Sequence, residues 1–126
     1  YKDLELFRPE VIIVKLGTND SRPDEWVNED FFYADYLRLV RRMKSISDQV
    51  YLCYPILPYG FKWQQRDDIL RNKVMKLIKR VSEEEQLPVI NLYREEMRDS
   101  VNYYPDGIHP TSNGYDIIAK IIYDNL

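Results

Sequence analysis

Apolar and polar positions alternate between two periods along this chain. Val11-Ile12-Ile13-Val14 is a continuous β-branched run, the pattern of a short strand buried on both faces. It ends at Gly17, which is followed by the polar stretch Thr18-Asn19-Asp20-Ser21 and then by Pro23. From Glu29 to Ser47 the apolar residues Phe32, Tyr36, Leu39, Val40 and Met43 recur at helical spacing with Arg and Lys between them, which predicts an amphipathic helix. Val50-Tyr51-Leu52-Cys53-Tyr54 is the second strand, and Pro55 and Pro58 end it because proline has no N–H for a sheet ladder. An aromatic, polar loop from Tyr59 to Gln65 follows. Leu70, Val74, Leu77, Ile78 and Val81 then mark a helix from about Asp67 to Glu84. Residues 87–92 read as a third short strand, 93–104 as a loop with a helical turn, and 112–126 as a last helix with Ile117, Ile118, Ile121 and Ile122 as its buried stripe.

The order β, α, β, α, β, loop, α is that of an α/β protein with a parallel sheet. The 126 residues suit one domain, with no internal repeat, low-complexity segment or linker. The chain opens at Tyr1, without Met or a signal peptide, on a helix-like stretch that runs straight into a strand. Three strands also make a thin sheet for strands covered on both faces. Both features set the expectation that further strands precede this segment, and that the Val11 strand offers an open edge for pairing or self-association.

Composition narrows the chemistry. With 44% apolar and 31% charged residues the proportions are those of a globular chain. Eighteen Lys and Arg against 21 Asp and Glu give a net charge of −3, so no basic excess points to nucleic acid or an anionic membrane surface. No apolar run approaches the length that spans a bilayer. The single cysteine, Cys53, excludes an internal disulfide framework and, lying inside a strand, reads as a small buried apolar residue. The single histidine, His109, excludes a histidine-rich metal site and makes any imidazole chemistry its own.

Ligands of open α/β sheets bind beyond the carboxyl ends of the strands. Three polar segments fall there: Gly17 to Asp20, Pro55 to Trp63, and Tyr104-Pro105-Asp106-Gly107-Ile108-His109-Pro110. A histidine serving as general base needs a partner on Nδ1 so that Nε2 faces the substrate. A turn through Gly107 can fold the Asp106 carboxylate back onto His109, and Pro110 pushes His109 into extended backbone. The same spacing also suits an ordinary surface turn. Asn19, just past a buried strand, can aim its amide into the cleft as an oxyanion donor, or can serve a plain strand-to-helix turn together with Asp20. Tyr54, Tyr59, Tyr103, Tyr104, Trp26 and Trp63 gather near these loops. Packing accounts for most of them, with Tyr59 and Trp63 as candidates for lining a substrate pocket. Asp67 and Asp68 read as electrostatic support for a helix N-terminus, and Glu83-Glu84-Glu85 as a solvated face.

Taken together, Gly17-Thr18-Asn19-Asp20 after a β-branched strand and Asp106-Gly107-Ile108-His109-Pro110 before the final helix resemble the SGNH hydrolases, or GDSL-type esterases and lipases. The resemblance runs over the whole chain. The segments 17–23 with Trp26, 50–53, 88–92 and 104–110 are similar to the branch of sialate O-acetylesterases and related carbohydrate acetylesterases. It implies a three-layer α/β/α, flavodoxin-like fold with a parallel sheet, of which this chain is the C-terminal portion without the first strands. It also implies Asn19 as an oxyanion-hole residue, Asp106 and His109 as acid and base of a Ser-His-Asp triad, no metal or organic cofactor, and a small ester substrate such as an acetylated sugar. Such carbohydrate acetylesterases are often exported. The family's Gly-Asp-Ser nucleophile block and its second oxyanion glycine are absent from this chain, and Ser21 follows the oxyanion segment rather than facing it. The chain by itself is therefore expected to be inactive. Two rivals remain at this level, a degenerate hydrolase-like binding module and a receiver-type regulatory domain. A receiver's acidic pair and its lysine are not visible.

Overall fold

The computed structural model describes residues 2–17, 21 and 28–126. The elements are α1 (Lys2–Phe7), β1 (Val11–Val14), α2 (Glu29–Ile46), β2 (Gln49–Tyr54), α3 (Gln64–Ile69), α4 (Met75–Glu85), β3 (Val89–Asn91) and α5 (Ser112–Asp124). The sheet has the order β1-β2-β3 and all pairings are parallel, with Val11 opposite Gln49 and Leu52 opposite Val89. A parallel sheet needs crossovers, and α2 and the α3–α4 segment supply them.

Two apolar clusters lie on opposite faces of this sheet. Ile12, Val14, Val50 and Leu52 meet Tyr36, Val40 and Met43 of α2, together with Leu70, Val74, Ile78 and Val81 of the α3–α4 segment. On the other face Cys53 and Ile90 meet Ile118 and Ile121 of α5, with Ile56, Leu57, Leu92, Met97 and Tyr103 from the intervening loops. Helices therefore cover both faces, giving three layers. The α5 stripe lies where the spacing puts it, with Ile118 and Ile121 buried and Ile117 and Ile122 half-buried at its margins. Burying one such side chain stabilises the fold by about 1.5–3 kcal/mol.

The β1 strand departs from the expected burial. Ile12 and Val14 are buried, while Val11 and Ile13 are each 37% exposed. The reason is positional. The α5 layer packs over β2 and β3, and among the described residues Val11 and Ile13 border an open apolar hollow of about 500 Å³ at the β1 edge, lined also by Leu4, Phe7 and Leu16.

The second helix also departs from a simple reading. It begins at Gln64, passes through a wider π-type turn at Leu70–Val74 and resumes as α4. Leu70 and Val74 are fully buried in that turn. Apolar spacing cannot reveal it, because their separation of four also fits a regular α-helix. The α4 helix ends at Gln86, whose left-handed backbone (φ 55°) lets Leu87 N–H reach the Ser82 carbonyl at 2.9 Å. Glu83 and Glu84 are exposed, as expected of a solvated face, and Glu85 is half-buried. Glu84 accepts from Tyr33 and Arg80, and Glu85 pairs with Arg41, so this end of α4 is laced to α2.

Between β3 and α5 the chain makes two 3-10 turns, Glu95–Met97 and Ser100–Asn102. Thr111 then caps α5 by accepting from the Gly114 N–H.

Candidate active site

Two of the three polar segments beyond the strand ends meet, and they carry His109. The Asp106 carboxylate holds its own turn together. Oδ1 accepts from the backbone N–H groups of Ile108 (2.8 Å) and His109 (3.0 Å), and Oδ2 lies 2.5 Å from His109 Nδ1. Both backbone bonds form because Gly107, at φ +74°, reverses the chain between the carboxylate and the ring. Hydrogen bonds from the His109 backbone, the His109 ring and the Ile108 backbone hold the Asp106 carboxyl well below the usual carboxylate range. An ionised Asp106 accepts the Nδ1 proton, which leaves Nε2 of the neutral ring as an acceptor. The imidazole is 72% exposed, so that acceptor opens to solvent.

The Pro55–Trp63 loop lies against this turn. Tyr59 N–H donates to the Gly107 carbonyl at 2.7 Å, and the Trp63 indole N–H donates to the Asp106 carbonyl at 2.6 Å. A Cβ on Gly107 would stand 2.0 Å from the Tyr59 carbonyl oxygen, so this approach requires glycine. Tyr59 stacks on Tyr103 (centroids 5.6 Å apart), and the buried Tyr103 hydroxyl donates to the Leu57 carbonyl at 2.5 Å. Tyr103 is thus a packing residue. Tyr59 and Trp63 line one cavity of about 440 Å³ with Phe61, Gln64, Asp67 and Arg98. The Phe61 ring is 90% exposed at its rim.

Asn19, Thr18, Asp20 and Trp26 lie outside the described residues. Gly17 and Ser21, which flank residues 18–20, are placed. Gly17, buried at φ +115°, closes the carboxyl end of β1, where a Cβ would meet Val74 Cγ1 at 2.8 Å. Ser21 is fully buried, and its Oγ accepts from Arg66 Nε at 3.0 Å. That burial and that bond make Ser21 a structural hydroxyl rather than a nucleophile. Arg66, 7% exposed, also packs its guanidinium 5.4 Å from the Trp63 ring centroid. Sequence reasoning passed over Arg66, since its only signal is its place one helical turn after Trp63. It assigned Asp67 to the helix N-terminus. In the structure Asp67 accepts from Arg71 and from the Tyr93 hydroxyl, and burial together with that bond pushes Tyr93 up to about 12. Cys53 is fully buried, and burial pushes its thiol up to about 11, well removed from thiolate chemistry. Among the described residues no three His, Cys, Asp or Glu side chains are placed to hold a metal, and no helix is long and apolar enough to cross a membrane.

Comparison with known proteins adds to this geometry. The GDSL-like Lipase/Acylhydrolase family matches residues 1–117. An acetylxylan esterase of Xylanibacter ruminicola is 26% identical over 97% of the chain, which spans 29% of that protein. Among solved structures, a lipase/acylhydrolase from Enterococcus faecalis superposes with a TM-score of 0.79 at 20% identity, over 95% of this chain and 62% of that one. An acetylxylan esterase from Geobacillus stearothermophilus superposes with a TM-score of 0.77 at 17% identity, over 96% of this chain and 61% of that one. At these identities the two structures establish the fold. The chain spans less than a third of the curated relative and about three fifths of each solved one.

Proposed function

The chain belongs to the GDSL-like lipase/acylhydrolase family, and on that premise we propose that the full-length protein is a serine esterase that removes O-acetyl groups from a carbohydrate. Its nucleophilic serine lies upstream of residue 1 and attacks the ester carbonyl. His109 Nε2 takes the serine proton and later returns it to the leaving alkoxide. Asp106 holds the imidazole in the tautomer that leaves Nε2 free to accept, and stabilises the imidazolium that forms. The Asn19 side-chain amide donates to the developing oxyanion, a contribution of roughly 3–4 kcal/mol when such a donor is well placed. Water then hydrolyses the acetyl-enzyme, with His109 as base again.

The observation that carries this reading is the 2.5 Å contact between Asp106 Oδ2 and His109 Nδ1, on a turn whose imidazole is open to solvent. The carbohydrate part rests on the acetylxylan esterases among its relatives and on the aromatic cavity of Tyr59, Phe61 and Trp63 beside the turn. Aromatic faces suit the apolar C–H patches of sugar rings. The isolated chain holds the base, the acid and one oxyanion donor without a nucleophile, and a triad acts as a unit.

The test is ester hydrolysis by the full-length protein, with p-nitrophenyl acetate as a reporter and acetate release from acetylated xylan as the carbohydrate assay. His109→Ala should lower kcat/KM by about three orders of magnitude or more. Unchanged turnover would refute the assigned base, whereas no turnover by the native full-length protein would favour a binding module.

A further inference from the structure

The turn that carries Asp106 and His109 is exposed, yet a general base must be placed to within a fraction of an ångström. Its internal bonds do not achieve this. The contacts from Ile108 and His109 to the Asp106 carboxylate, from Gly107 N–H to the Tyr104 carbonyl and from Tyr104 N–H to the His109 carbonyl all lie within residues 104–109. They make the turn rigid, and a rigid turn can still tilt as one body. Two bonds reach from its tip to the β2–α3 loop: Tyr59 N–H to the Gly107 carbonyl and Trp63 Nε1–H to the Asp106 carbonyl, at 2.7 and 2.6 Å. The second belongs to a side chain. Trp63 is itself held, with the Arg66 guanidinium over its ring, and Arg66 donates to the buried Ser21 hydroxyl. A continuous path therefore runs from the segment after β1, through Arg66 and Trp63, to the backbone of the proposed catalytic acid.

We propose that Trp63 is a positioning residue for catalysis, whose indole N–H fixes the Asp106–His109 turn against the β2–α3 loop. This rests on the reading of His109 and Asp106 as base and acid. It differs from a role in lining the substrate cavity, because the indole N–H is spent on the Asp106 carbonyl and acts on the turn whether or not a sugar is bound.

The experiment uses the full-length enzyme with p-nitrophenyl acetate, a substrate too small to need a sugar subsite. Trp63→Phe keeps an aromatic ring and removes the donor. The expected result is a fall in kcat on the order of tenfold to a hundredfold with KM changed little. The second readout is the downfield Nδ1 proton resonance of His109 in NMR spectra, assigned by its disappearance in Asp106→Asn, which should broaden or shift upfield in Trp63→Phe. Replacing Trp63 by benzothienylalanine, in which sulfur takes the place of the N–H at nearly constant shape, should reproduce both effects and decides the matter if the phenylalanine variant does not fold. A raised KM with kcat and the resonance intact would overturn the proposal and leave Trp63 as a substrate contact. Loss of turnover in His109→Ala with no change in either Trp63 variant would overturn it while leaving the esterase reading in place. Retained turnover in His109→Ala would overturn both.

Discussion

A single carboxylate does two jobs in the Asp106 turn. One oxygen gathers two backbone N–H groups and the other orients the imidazole, so ionisation of Asp106 and folding of residues 104–109 are linked. The sign follows from its depressed affinity for protons. Stability from the ionised form is fully present above the value of an unfolded Asp, about 3.9, and is lost as pH falls toward the lower folded value. The difference in melting temperature between the native protein and Asp106→Asn should therefore be constant above about pH 5 and shrink below about pH 4. Thermal melts across that range check it, and a difference that grows on acidification would contradict the linkage. The spacing through Gly107 left the partnership possible but not decided, since it also suits a surface turn, and the resemblance carried by both polar segments is what pointed to it. What Trp63 and Arg66 do was not legible. A tryptophan in an aromatic loop carries no sign of which carbonyl its N–H will meet.

Among the elements, α5 has the most direct bearing on the site. It begins at Ser112, three residues after His109, and its Ile118 and Ile121 pack on the same cluster as Leu57 and Tyr103, from which the neighbouring loops depart. Ile118→Ala should cost about 2–5 kcal/mol, measured as a lower denaturation midpoint, and a change under 1 kcal/mol would show that α5 is not the structural base of these loops. The α5 stripe, the α2 stripe and the three strands all follow from periodicity, because each element buries one face or both and the spacing of apolar residues records that. Periodicity could not supply the π-type turn at Leu70–Val74, where a wider turn and a regular one bury the same two residues. Nor could it show that Val11 and Ile13 stay partly exposed, since a β-branched run looks the same whether one or two layers cover it.

For the whole molecule, the parallel three-layer fold and the family match agree, and this chain spans about three fifths of the Enterococcus and Geobacillus structures it resembles. A serine-directed fluorophosphonate probe should leave the 126-residue polypeptide unlabelled, as read by intact mass, because the hydroxyl nearest the segment after β1, Ser21, is buried and bonded to Arg66. Stoichiometric labelling at Ser21 would overturn that assignment. The sequence by itself determined the alternation of strands and helices and the single imidazole with its nearby carboxylate, since each depends on residues close together in the chain, and the resemblance, since it is carried by short motifs whose order along the chain can be read directly. Only the tertiary structure decided which loops meet. The Tyr59–Trp63 loop and the Asp106–His109 turn are more than 40 residues apart. They are joined because parallel β2 and β3 end side by side, and because Gly107 lacks the Cβ that would have held them apart.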